Sequence, residues 1–237
     1  MKLSALLIFA AALANGQIDR TLHFLTAPPP AALEEAATLL RTVGGIGQLR
    51  LDPLNPAIDI RGSASEILLA EWLVNQLDRP GGPPTREYRL PGNQDDVIRV
   101  AFLANNTGAR DLQELLTTLR TVAGLQRIAQ YNAAHAIAWR GKTAEANLAA
   151  WLIRQLDTPA GAGAPGAHQY TGNGDDVTRV FFSPRLQATQ DREAVLAATR
   201  AKLRITRSST STGAAAVVLR DTAARIERAA QLIESRQ

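Results

Sequence analysis

The chain has 237 residues, 26 basic against 22 acidic, a formal charge of +4 and no cysteine. Disulfides, thiolate metal sites and cysteine nucleophiles are therefore excluded. The positive charge is dispersed, so it reads as a solvated surface, and no nucleic-acid partner is expected.

The N-terminus has the pattern of an export signal. Met1 and Lys2 form a short positive head, residues 3–13 are an apolar run, and Ala12-Leu13-Ala14 or Ala14-Asn15-Gly16 fits small-x-small cleavage. Residues 1–16 are expected to be removed as a signal peptide. The run is too short to span a bilayer comfortably. The mature chain is thus expected to be soluble, with no stable transmembrane span. Export without cysteine suits a bacterial periplasm.

Beyond this segment the sequence repeats itself. Residues 20–82 align on residues 99–161 without gaps at an offset of 79, and a weaker copy starts at Arg179 at an offset of 80. Leu-Arg-Thr-Val at 40–43 returns at 119–122, Arg61-Gly62 returns as Arg140-Gly141, and Leu77-Asp78 returns as Leu156-Asp157.

Each copy reads as strand, helix, strand, strand, helix. The first strand, over 21–25, 100–103 and 180–183, carries Phe24, Phe102 and Phe182. The first helix places Leu33, Ala36, Ala37, Leu40 and Val43 on one face, matched by Leu112, Leu115, Leu116, Leu119 and Val122. Gly45 and Gly124 follow as left-handed stops. A hairpin comes next, its second strand over 57–61, 136–140 and 216–219, with Ile58 and Ile60, or Ile137 and Trp139, alternating with residues that face outward. The last helix carries Ile67, Ala70, Leu73, Val74 and Leu77, or Leu148, Trp151, Leu152 and Leu156. Pro80 and Pro159 end it.

The expected fold class is α+β: tandem βαββα modules, each a short sheet with both helices on one face. The modules are placed at 17–82, 99–161 and 179–237, the last degenerate. Gly- and Pro-rich linkers at 83–98 and 162–178 suggest beads on a string.

The helix ending Leu-Arg-Thr-Val-x-Gly, the strand closing on Arg-Gly and the helix ending Leu-Asp-x-Pro resemble the short periplasmic N-terminal domain of bacterial secretins. Those are the ring-forming channels of type II secretion and type IV pilus systems. Residues 33–45, 57–62 and 66–80 carry the likeness, as do 112–124, 136–141 and 145–159. The third copy departs, with Asp221 in place of the glycine and no terminal Leu-Asp-x-Pro. No barrel-forming region is expected from these 237 residues. The resemblance implies protein–protein contacts and lateral packing rather than a channel.

The candidate interface residues are Arg41, Arg61, Trp72, Arg120, Arg140 and Trp151, which recur pairwise at helix or strand ends and on matching helix positions. The loops Gly92-Asn93-Gln94-Asp95-Asp96 and Gly172-Asn173-Gly174-Asp175-Asp176 lack the acidic ladder of a calcium loop and read as polar turns. His23, His135 and His168 show no metal spacing, Gly44-Gly45-Ile46-Gly47 sits in the wrong context for an RNA-binding loop, and no nucleophile–base pair is evident. No catalytic residue, metal or cofactor is expected. The expected role is a periplasmic scaffold that docks within or onto a secretion or pilus complex, with a homo-oligomer among the expected forms. The competing expectation is a freestanding periplasmic protein that binds a ligand or the cell wall.

Overall fold

The computed structural model describes residues 16–52, 55–78, 85–159 and 166–235. The expected signal peptide and the expected helix stop at Pro80 fall outside them, apart from Gly16. Eleven strands and six helices lie within the described residues. The fold is α+β, built from three small antiparallel sheets with interleaved helices.

The first unit comprises β1 (Ile18–His23), α1 (Pro30–Leu39), β2 (Gln48–Asp52), β3 (Ala57–Gly62) and α2 (Ala64–Asp78), with sheet order β1-β3-β2. The second comprises β4 (Thr85–Leu90), β5 (Asn93–Phe102), α3 (Ala109–Thr118), β6 (Arg127–Tyr131), β7 (Ala136–Lys142) and α4 (Thr143–Leu156), with order β4-β5-β7-β6. The third comprises β8 (Gly166–Thr171), β9 (Asp176–Phe182), α5 (Thr189–Leu203), β10 (Arg207–Ser211), β11 (Ala216–Thr222) and α6 (Ala223–Glu234), with order β10-β11-β9-β8. Registers recur at the sequence offsets: Arg20 stands opposite Ile60, Arg99 opposite Trp139, and Arg179 opposite Leu219.

Two expectations need correction. The stretches read as linkers at 83–98 and 162–178 hold β4 and β8, each folded as a hairpin onto the next strand. Gly92, with φ of +80°, makes the first of these turns. The units are also not beads. Along β5, Val97 and Ala101 pack with α3 and α4 of their own unit, whereas Ile98 and Val100 pack with α1 and α2 of the unit before. Along β9 and β11, Val177, Phe181, Val217 and Leu219 face α5 and α6, and Val180, Phe182, Ala216 and Val218 join the core around α3 and α4. The second and third sheets are therefore buried on both faces. The molecule is an alternating stack of sheet, helices, sheet, helices, sheet, helices. The physical reason is composition: residues assigned to a solvent face in the second copy, such as Ala136 and Ala138, are apolar and fully buried.

Local chemistry explains the recurring motifs. Asp78 accepts hydrogen bonds from the backbone N–H groups of Leu25 (2.6 Å) and Thr26 (3.0 Å) and from the Thr26 hydroxyl (2.5 Å). Asp157 accepts from the N–H groups of Ala104 (2.7 Å), Asn105 (2.9 Å) and Asn106 (2.9 Å). The Leu-Asp signature thus caps the loop between the first strand and first helix. The third unit solves the same problem with opposite polarity. Buried Arg192 donates to the Leu186 carbonyl (2.5 Å), the Gln187 carbonyl (2.7 Å) and Thr189 Oγ1 (3.0 Å).

The Arg-Gly signature has a steric basis. A Cβ at Gly62 would lie 2.9 Å from Glu66 Oε2, and one at Gly141 would lie 3.0 Å from Glu145 Oε2. Those glutamates reach back from the first turns of α2 and α4 to the N–H of the residue just before each helix, Ser63 (2.7 Å) and Lys142 (3.2 Å). The third unit changes both partners, and Asp221 pairs with Arg225 at 3.3 Å.

Candidate interaction surfaces

The joints between units use one set of contacts twice. Glu35 on α1 accepts a hydrogen bond from Asn132 N at 2.7 Å and another from Asn132 Nδ2, at the turn after β6. Glu114 on α3 does the same for Thr212 N (2.9 Å) and Thr212 Oγ1 (3.0 Å), after β10. On the other side of the stack, Trp72 meets Tyr88 with ring centroids 5.3 Å apart, and Trp151 meets Tyr170 at 5.6 Å. Gln76 Oε1 receives Arg86 Nη1 at 2.5 Å, and Arg86 lies over Phe102 at 5.4 Å. At the equivalent place Gln155 Oε1 is 2.5 Å from His168 Nδ1, and His168 meets Phe182 edge-on at 5.3 Å.

Charge is paired beside these joints, within each unit. Arg140 binds both oxygens of Asp96, with Nη2 2.7 Å from Oδ2. Arg220 binds Asp176 in the same way and also donates to the Val122 (2.8 Å) and Ala123 (3.3 Å) carbonyls of the preceding unit. Burial pushes the Asp176 carboxyl up, but hydrogen bonds and charge from Arg220 and then Arg207 outweigh it and hold the group below the ordinary carboxylate range. Tyr131, on the face of β6 toward the first unit, is pushed up to about 12, first by burial and then by the charges of Asp78 and Glu35.

The six residues singled out from sequence fall into three situations. Trp72 and Trp151 are half-buried anchors of the joints inside the chain. Arg140 is tied to Asp96, and Arg120 donates to the Ile128 carbonyl at 3.2 Å beside a groove that also contains Glu35 and Thr38. Arg41 and Arg61 are exposed, and Arg61 stands 3.7 Å from Asp19 in a loose surface pair. Glu35, Glu114, Tyr88 and Tyr170 were not singled out. The glutamates keep the offset of 79 and were visible in the repeat. The tyrosines differ by 82 residues because the intervening loops differ in length, so a fixed offset hides them.

The ends of the stack differ from its interior. The outer face of the first sheet carries Asp19, Thr21, His23, Arg50, Asp59 and Arg61, all exposed. Thr21 Oγ1 donates to Asp59 Oδ1 at 2.6 Å, and an open groove of about 460 Å³ crosses this face. The register places Ile98, Val100 and Ala138 at the positions of Asp19, Thr21 and Asp59 in the second sheet, and all three are buried. At the opposite end, Ala194 occupies the position of Glu35 and Glu114, and Gln231 that of Trp72 and Trp151. Arg228 replaces buried Leu69 and Leu148, and all three replacements are exposed.

The first sheet has, among the described residues, no counterpart of β4 and β8. Among the described residues nothing pairs with β1 on the side away from β3. No group of three His, Asp or Glu among them is placed to hold a metal ion. Of the paired acidic turns, Asp96 and Asp176 are engaged by arginines, and Asp95 Oδ1 accepts from Thr143 N at 3.4 Å. Among the described residues no helix is long and apolar enough to cross a membrane. No protein-family model matches the chain, and a search of the curated proteins found no match.

Proposed function

We propose that this chain is a periplasmic scaffold protein that docks within or onto a secretion or type IV pilus envelope complex, as its likeness to secretin N-terminal domains implies. The observation that carries this reading is the uncovered first sheet. Its two counterparts have both faces and one strand edge occupied inside the chain, whereas among the described residues this one has a charged face and an edge left open, which suit another protein. Apolar surfaces elsewhere are spent on the stack itself, which gives the protein the build of a spacer with a contact end.

The test is photo-crosslinking in the native envelope, with the probe at Thr21 on the first sheet or at Gln231 on the last helix, followed by mass spectrometry. Adducts to a secretin or an inner-membrane secretion component, formed from Thr21 and not from Gln231, are the expected result. Self-adducts alone make the protein a homo-oligomeric scaffold and remove the docking role. Recovery of monomer alone overturns the reading in favour of a freestanding ligand- or cell-wall-binding protein.

A further inference from the structure

We propose that the open edge of β1 is a strand-addition site, which takes an extended segment of a partner protein antiparallel to β1 with a carboxylate or carboxamide side chain opposite Arg20. The inference rests on the docking reading only in requiring a protein partner.

The template is inside the molecule. β5 and β9 pair with β7 and β11 as β1 pairs with β3, in the same register. Each has a further antiparallel strand on its other side, β4 or β8, of six residues. β1 is also six residues long and has that side empty among the described residues. In an antiparallel ladder alternate residues turn N–H and C=O toward each neighbour, so half of these groups on β1 point at the open edge. Of the usual protections of an edge, β1 has charged side chains at Asp19 and Arg20 but no proline and no lysine.

The chemistry of the occupant is written in the two covered strands. Opposite Arg99 stands Glu87, with Arg99 Nε 2.7 Å from Glu87 Oε2. Opposite Arg179 stands Gln169, whose Oε1 accepts from Arg179 Nη2 at 2.7 Å and Nε at 3.2 Å. Arg20 is the third member of this series. Its guanidinium meets Glu71 of its own unit at 2.7 Å through Nη2 and at 2.8 Å through Nε, and its side chain keeps 45% of its exposure. A guanidinium carries five N–H donors, so further donors remain for an acceptor on an added strand. Beside Asp19 and Thr21 the incoming strand needs polar side chains, because no helix layer covers that face as α2 and α4 cover β4 and β8.

Two other occupants are disfavoured. Residues 6–11 lie at the spacing of a hairpin partner but belong to the expected leader. A second copy paired symmetrically near the centre of β1 sets Arg20 opposite either Arg20, which like charges penalise, or Leu22, and neither offers a carboxylate or carboxamide.

The experiment uses the purified protein, with its N-terminus read by mass spectrometry. The probe is a capped fluorescent peptide copying residues 85–90, Thr-Arg-Glu-Tyr-Arg-Leu, followed by anisotropy. Saturable binding is expected. A peptide with lysine in place of its glutamate should bind about tenfold more weakly, as loss of one charge-assisted hydrogen bond implies. Arg20→Glu should reverse the preference between the two peptides. Arg20→Gln, expected to narrow it, substitutes if circular dichroism shows the first variant unfolded. N-methylation of alternate peptide residues should abolish binding in one parity and spare it in the other.

Absence of saturable binding overturns the proposal, as does binding indifferent to Arg20 or to the parity of methylation. A dimer that the peptide does not dissociate assigns the edge to a second copy instead. Retention of residues 6–11 with β1 protected from hydrogen exchange assigns it to the chain itself. Envelope capture from Thr21 without peptide binding sinks strand addition alone. Peptide binding without envelope capture sinks only the placement in a secretion machine.

Discussion

Single residues decide how each unit closes. Asp157 holds three backbone N–H groups, and its removal leaves them competing for water in a partly buried loop. Asp157→Ala is expected to cost roughly 2–3 kcal/mol in urea unfolding. Tyr131 keeps its proton to about pH 12 in the folded chain, whereas an unfolded tyrosine loses it near pH 10. Between those values the unfolded chain binds fewer protons, so stability falls as pH rises, by up to roughly 2–3 kcal/mol. Tyr131→Phe should flatten that alkaline slope. A third case is the helix stop. Gly45 and Gly124 adopt φ of +75° and +82°, and the third unit places Arg204 there at +56°. Arg204→Gly relieves the Cβ strain and is expected to stabilise the protein by about 0.5–1 kcal/mol, read as a shift in thermal midpoint.

At the scale of elements, the helices were legible because their period and stops are local. Leu112, Leu115, Leu116, Leu119 and Val122 lie on the buried face that their spacing predicts. Strands β4 and β8 were not legible. Thr85–Leu90 and Gly166–Thr171 alternate polar and half-buried residues beside Gly- and Pro-rich sequence, which masks them as linkers. Their stability comes from Trp72 and Trp151 on the preceding helices, a tertiary contact that no local pattern encodes. Truncating such an anchor should loosen one joint before the rest. Trp151→Ala is expected to cost roughly 2–4 kcal/mol and to speed hydrogen exchange in β8 more than in β4.

The stacking of whole units is encoded in the differences between the copies, which their likeness masks. Asp19, Thr21 and Asp59 in the first sheet become Ile98, Val100 and Ala138 in the second. That change of polarity says which sheet has a neighbour. Function is less legible, since residues at joints recur for the same reason that interface residues do, and Trp72 and Trp151 satisfied both descriptions. The prediction at this scale is a transplant of surface: Asp19→Ile, Thr21→Val and Asp59→Ala together give the first sheet the apolar face of the second. The triple variant is expected to keep its fold by circular dichroism and to self-associate more strongly than the parent in sedimentation velocity.

The polar ends carry one more consequence. Only the middle unit has both a sheet that accepts helices and helices that accept a sheet. Duplication at either terminus would set an apolar face against a charged one, so the array grows by insertion at its centre. Each inserted copy would lengthen the molecule by about 20 Å, one sheet and one helix thick. The length of the stack would then change by gene duplication, in whole steps, with its two ends left unchanged.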